Sequence, residues 1–250
     1  MKVLLLSFFI SFCFISSHAQ DINSLIAAAD RLEAIPDENS AFSKFKEVLK
    51  IKSTNIYALS KCSELCSRIG KRQTDSKLRD SYYDAAKIYA ATALKIDPDN
   101  SDANCSMAMA LGRSTMSKSG KEKITTARDI RKYVDIALKS NPNNFKAWHV
   151  LGRWHFEISS LNVLERTAVK LFYGGLPESS LKESITAFEK VQSITSGFIL
   201  NYFEMAKAYH RNNDDQKAIT ALKAMLTLPN QTEDDPGIKT DARKLLNDWQ

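Results

Sequence analysis

The sequence predicts an all-α fold: an alpha-alpha superhelix (solenoid) of about five helix pairs, with one inserted helix and a C-terminal capping helix. Three observations carry this expectation. Four segments align when written one under another: VLKIKSTNIYALSKCSEL from Val48, ALKIDPDNSDANCSMAMA from Ala93, ALKSNPNNFKAWHVLGRW from Ala137 and VQSITSGFILNYFEMAKAY from Val191. Each joins the end of one helix to the start of the next through a polar turn, and such internal repetition marks a stacked array. No run sustains a period-two alternation, so no strand is predicted. The chain is 44% hydrophobic with only 8 Gly and 6 Pro, which suits a sizeable helical core.

The repeats start 45, 44 and 54 residues apart. They resemble the tetratricopeptide repeat, TPR. Its first-helix pattern appears as Trp148, Leu151, Gly152 and His155, and again as Tyr202, Met205, Ala206 and Tyr209. Its second-helix pattern appears as Ala86, Ala90, Ala93 and Pro98, and as Ala218, Leu222, Met225 and Pro229. The small residue is needed because the two helices of a pair approach closely there. Each pair has an apolar stripe it cannot bury alone, so stacking on neighbours completes the core. About twelve helices are expected after the N-terminal leader. Ser180 with Glu183 reads as a capping box, and Thr232 to Asp235 opens a last helix near 235–249.

Residues 1–19 read as a signal peptide. Lys2 supplies the positive end, Val3 to Ile15 an apolar run, and Ser17-His18-Ala19 a small-residue cleavage site, with Gln20 the first mature residue. The apolar run is shorter than the ~20 residues a membrane span needs. Residues 20–250 are then one TPR-like helical repeat domain, exported to the periplasm or secreted, with a bacterial envelope favoured. Cleavage lowers the formal net charge from +6 to +5, which gives only a mild preference for acidic partners. The mature chain keeps Cys62, Cys66 and Cys105. An odd number argues against a disulfide framework and fits small core residues.

The longest step is explained by an extra helix. A first helix runs over about 145–159, and a second over 162–173 carries Val163, Leu164, Ala168, Leu171 and Phe172. Gly174-Gly175 ends it and Pro177 precedes the next helix. Glu165 and Arg166 are read as capping and stapling this helix, and Trp154 as core or groove wall. Gly152-Arg153-Trp154, Leu164-Glu165-Arg166, Leu171-Phe172 and Gly175-Leu176-Pro177 together resemble the regulator of microtubule dynamics protein family. The resemblance continues through Ala187-Phe188, Gly197-Phe198, Ala206 to Tyr209 and Leu228-Pro229 to Asp235, so residues 130–248 are closest to the family. It implies a TPR-like interaction scaffold without a catalytic site. Animal members associate with microtubules and organelle membranes, but an exported chain would not meet microtubules.

Enzyme signatures fail, so no enzyme and no cofactor is expected. The segment from Gly112 to Gly120-Lys121 lacks phosphate-loop spacing, and Glu122 stands where a metal-binding hydroxyl belongs. His149 and His155 are six apart and face opposite sides of a helix, so they cannot share a metal. No GxSxG occurs, and the cysteines sit inside helix patterns rather than at loops.

Two surfaces remain. Counting from Trp148 and Tyr202, the concave groove should receive His149, Arg153 and Phe156 from one unit, and Phe203, Lys207 and His210 from the next. A guanidinium and an ammonium beside aromatic walls suit a protein or peptide partner with acidic groups. Internal pairing with Glu157 and Glu204 is the competing arrangement. The other surface is a basic edge of interhelical loops: Arg68, Lys71, Arg72, Lys77 and Arg79, then Arg113, Lys118, Lys121 and Lys123. Acidic turns at Asp97 to Asp99 and Glu233 to Asp235 are expected on the opposite edge. Nucleic acid is not expected, because the loops lack interleaved aromatics. The leading expectation is an exported adaptor that binds its partner in the groove. The alternative is a structural subunit of an envelope complex, docking through helix 162–173 or the basic edge.

Overall fold

The computed structural model of the protein describes residues 21–115 and 120–249. The signal peptide, its Ala19/Gln20 cleavage site and Lys118 lie outside the described residues. Every regular element among the described residues is helical. They are α1 (21–34), α2 (Glu38–Ile51), α3 (Ile56–Lys71), α4 (Ser76–Ile96), α5 (Ser101–Ser114), α6 (Gly120–Ser140) and α7 (Phe145–Ser159). They continue as α8 (Val163–Tyr173), α9 (Leu181–Ile194), α10 (Ile199–Arg211), α11 (Asp215–Thr227) and α12 (Asp235–Trp249). The pairs are α1/α2, α3/α4, α5/α6, α7/α9 and α10/α11, with α8 inserted and α12 as the cap. No described helix is long and apolar enough to cross a membrane.

A short motif starts the first helix of three successive pairs. Asn55, Asn100 and Asn144 each accept a hydrogen bond from an alanine amide three residues on, at 2.9, 3.1 and 3.0 Å. Each such cap is worth about 1 kcal/mol, and the alanines, Ala58, Ala103 and Ala147, are fully buried. In α10 the pattern is exchanged. Phe198 occupies the cap without a side-chain hydrogen bond, and Asn201 takes the buried alanine position.

Eight residues after each cap sits a small buried side chain: Ser63, Ala108, Gly152 and Ala206. At Gly152 the reason is direct. A Cβ there would lie 2.7 Å from the Phe188 ring of α9, inside any tolerable contact. The Gly152 carbonyl also accepts from Ser184 at 2.8 Å. The main C-terminal core joins Phe188, Tyr202, Met205, Leu222 and Met225 to Ile238 and Leu246 of α12.

The inserted helix is fixed by its ends rather than by burial. Asn162 accepts from the Glu165 amide, and the Glu165 carboxylate accepts from the Asn162 amide, forming a complete capping box. Gly174 ends α8 in the left-handed region at φ 76°, and the Gly175 amide reaches back to the Val169 carbonyl. Arg166 donates to the Ile158 and Leu161 carbonyls, and Arg128 of α6 donates to Tyr173 and Gly175 carbonyls. Ser180 caps α9, but only half of the expected box forms there. At the last helix the direction is reversed: the Asp235 carboxylate reaches back to the amides of Gln231 and Thr232, at 2.7 and 2.8 Å.

The superhelix curls far enough for its two ends to meet. The turn before α12 returns to the first units: Glu233 accepts from the Glu38 amide at 2.9 Å, and Asp234 faces Lys71 at 3.2 Å and Arg72 at 3.4 Å. The extended packing of α12 is on α10 and α11, so side-chain charges close the ring.

Candidate partner-binding groove

The first helices of successive pairs line the concave face, and their charged side chains meet across it. At the N-terminal end, Glu33 of α1 pairs with Lys61 at 2.8 Å and Arg68 at 2.5 Å. The fully buried Glu38 receives Arg72 at 2.7 Å and faces Arg68 at 3.4 Å. Burial alone would raise the Glu33 carboxyl, but Arg68 and Lys61 outweigh it and hold its pKa down to about 2. In mid-groove, Lys146 of α7 reaches Glu64 of α3.

The basic edge therefore needs correction. Arg68 and Lys71 belong to α3, Lys77 and Arg79 to α4, Arg113 to α5, and Lys121 and Lys123 to α6, so the stretch is mostly helix rather than loop. Arg68, Lys71 and Arg72 are consumed by internal carboxylates. Glu233 and Asp234, expected on the opposite edge, supply three of those contacts. Arg113 is partly buried; burial and then the like charge of Arg153 lower its pKa. Lys77, Lys121 and Lys123 remain exposed, and Arg79 meets its neighbour Asp80 at 3.5 Å.

The C-terminal end is organised around Glu204. This carboxylate is buried, with Arg153 at 3.3 Å and Lys207 at 3.0 Å. Burial works to raise its pKa, and the two cations reverse the direction. Arg153 also meets Glu157 at 3.3 Å. The internal pairing is thus realised, and Arg153 and Lys207 are shared cations rather than free ones. His149 is a second correction. It lies under the α7–α10 contact, 6% exposed, with Nδ1 3.1 Å from Asn201 Oδ1 and its ring against Phe198. Burial lowers its pKa to about 4, so it is a neutral core residue and not part of the groove surface.

Four of the six expected groove residues do come together. Phe156, Phe203, Lys207 and His210 line a cleft of about 570 Å³ with Arg211 and, from α12, Leu245 and Trp249 among others. Lys207 Nζ lies 5.6 Å from the Phe156 ring centre and 5.5 Å from that of Phe203. Arg211 also lies over the Phe156 ring, at 4.7 Å, and donates to the Phe156 carbonyl at 2.8 Å. His210 stacks on Trp249 at 4.0 Å and meets Asp215 at 2.7 Å. Sequence reasoning missed Arg211, Leu245 and Trp249. The first stands four residues after Lys207 on the same helical stripe, and the other two continue the apolar stripe of α12.

The cysteines are buried and free, and burial pushes the thiols of Cys62 and Cys66 up to about 12, far from the thiolate a nucleophile or metal ligand requires. Trp154 is core, its indole N–H donating to the Ala127 carbonyl at 2.7 Å. No group of three His, Cys, Asp or Glu residues with metal-binding geometry occurs among the described residues.

Comparison with known proteins agrees with this architecture. The family described as Regulator of microtubule dynamics protein 1-3 matches residues 25–250. Regulator of microtubule dynamics protein 3 of Xenopus laevis is 25% identical over 173 residues, 69% of this chain but 37% of that protein. Regulator of microtubule dynamics protein 1 of Caenorhabditis elegans is 24% identical over 185 residues, 74% of this chain and 80% of that protein. The chain spans 42% of the human relative, regulator of microtubule dynamics protein 2, at 23% identity. A thermophilic TPR protein of Thermus thermophilus shares the fold: its TM-score is 0.66 at 11% identity, covering 90% of this chain and 99% of that one. The family match spans residues 25–250, and the chain belongs to the regulator of microtubule dynamics protein 1-3 family.

Proposed function

We propose that this chain is an exported, non-catalytic TPR-like scaffold that binds a segment of a protein partner in its concave groove, at the C-terminal cleft. The signal-peptide pattern of residues 1–19 supports export. One observation carries the site: the cleft keeps Phe156, Phe203, Leu245 and Trp249 only half buried, beside Lys207 and Arg211. Aromatic side chains and arginine are enriched at protein interfaces. The fitting ligand is an apolar or aromatic side chain flanked by a carboxylate. That carboxylate would compete with Glu204 for Lys207, so binding should weaken with salt.

The test is capture from envelope extract on immobilised residues 20–250, with a Phe203→Ala/Lys207→Ala chain beside it. Arg153 is left in place so that Glu204 keeps a cation. A protein retained by the wild type and lost from the double variant, with both folded by circular dichroism, supports the groove. A protein retained by both rejects this cleft.

A second reading rests on α8. Four of its large apolar side chains face solvent, which suits a structural subunit docking through this helix. Capture would then respond to substitutions in α8 and ignore those in the cleft.

A further inference from the structure

The repeat frame sets one arginine apart. Thirteen residues after the caps Asn55, Asn100 and Phe198 stand Arg68, Arg113 and Arg211, each near the end of a first helix. Two of the three reach back to the first helix of the preceding pair. Arg68 meets Glu33 of α1 at 2.5 Å, and Arg211 donates to the Phe156 carbonyl and Ser159 of α7 at 2.8 and 2.7 Å. Arg113 does not follow them: among the described residues it makes no hydrogen bond and no ion pair. Gly70 of α3 holds the place that Ser159 holds in α7, so no hydroxyl is offered, and the Tyr83 ring packs against that glycine. Every Asp and Glu of the chain lies among the described residues, so no side-chain carboxylate is left to meet this guanidinium.

The neighbouring charge clusters are each balanced. At the N-terminal end four cations face four carboxylates, and Lys146 faces Glu64. At the C-terminal end Arg153 and Lys207 face Glu157 and Glu204. Arg113 is the surplus charge between them, on a helix packed against both α3 and α7. Burial and the like charge of Arg153 outweigh Tyr83, Asp234 and Glu204 and lower its pKa, yet a guanidinium stays charged. A partly buried charge without a counter-ion is costly, and an anion that reached it would relieve that cost. We propose that Arg113, with Arg153 on the adjacent helix α7, is an anion site of the concave face that takes one carboxylate group.

The ligand class follows from shape and charge. The planar guanidinium fork accepts both oxygens of a carboxylate, a match that chloride lacks. One surplus positive charge calls for a single negative one. A phosphate dianion would also meet the fields of Asp234 and Glu204, which act on Arg113 and are held in place by their own cations. Arg113 does not line the C-terminal cleft, so this site stands or falls without it.

NMR of the arginine Nε–Hε groups of residues 20–250 tests the proposal at constant ionic strength. Three carboxylate probes replace chloride in turn: acetate, acetyl-Gly-Gly-Gly with a free C-terminus, and acetyl-Gly-Asp-Gly amide. The Arg113 resonance, identified by its loss in Arg113→Lys, should shift saturably with a carboxylate, and the tightest of the three names the source as a free acid, a chain terminus or an acidic side chain. Inorganic phosphate should bind at least about tenfold more weakly. Any matching response of Arg153 should fall at least about tenfold in Arg113→Met. That variant should melt no lower than the wild type, because no partner is stranded and the aliphatic stem is kept. Absence of a saturable shift with all three probes overturns the site, and tighter binding of phosphate overturns the ligand class. A fall in melting temperature as large as that of Arg68→Ala would make Arg113 a structural residue and also overturn the proposal. Capture through the C-terminal cleft plays no part in this measurement, so either reading can fail alone.

Discussion

The two ends of the concave face carry comparable charge and use it in opposite ways. At the N-terminal end, Arg68 and Arg72 turn inward onto Glu33 and the fully buried Glu38. At the C-terminal end, Lys207 shares Glu204 with Arg153 while resting over two phenyl rings beside an open cleft. Whether a cation serves stability or recognition is decided by what surrounds it, and a count of lysines and arginines is blind to that. Removing one member of a sealed charge cluster strands the others, whereas a cation at an open site can be replaced by water.

The largest effect should follow Arg68→Ala, which leaves two buried carboxylates short of a cation. A loss of about 4 kcal/mol is expected, read as a fall in melting temperature of roughly 10 °C. Lys207→Ala, at the open end, should cost less than about 1 kcal/mol by the same measurement. Equal losses would erase the distinction between the ends.

Only strong acid should reach the Glu33 clasp. The Glu33 pKa is lowered from 4.5 to about 2 on folding, so its contribution is complete above 4.5 and disappears as the pH falls toward 2. That contribution is roughly 3 kcal/mol. Urea denaturation of wild type and Glu33→Gln at pH 7 and again near pH 2.5 should show a large difference that shrinks with acidity. A difference independent of pH would remove Glu33 from the clasp.

A smaller effect sharpens the open end. Arg153→Ala and Lys207→Ala each leave Glu204 one cation, and the pair of substitutions leaves none. The double variant should lose about 1 kcal/mol more than the sum of the singles. Additivity would mean that Glu204 is served by solvent. Least of all, Lys77→Glu, Lys121→Glu and Lys123→Glu should each shift stability by under about 0.5 kcal/mol, because these side chains are exposed and lie outside the clasp.

What was readable in the sequence follows the range of the interaction. The repeats, the inserted helix and its Gly174-Gly175 stop are written within a few turns of chain, and all appear where the pattern places them. The small residue at Gly152 is legible for the same reason. His149 is not, because its burial depends on Phe198 and Asn201 arriving from α10 in place of the Asn and Ala found at the other helix starts. The fate of Arg72 is further out of reach. Its partners Glu233 and Asp234 stand more than 160 residues away and meet it only through the summed angles of every intervening helix pair. The cleft was half legible: α7 and α10 announce their lining residues by repeat position, while α12 belongs to no repeat.

The contact between the Glu233-Asp234 turn and the first units also changes what kind of folding system this is. A linear array couples each repeat only to its neighbours, so its terminal units fray separately and unfolding can run inward from either end. Here the turn before α12 is tied to the start of α2 and the end of α3, which couples distant units directly. Hydrogen exchange in α2 and α12 should then rise together when Arg72 is replaced, although the two helices are separated by the whole length of the chain.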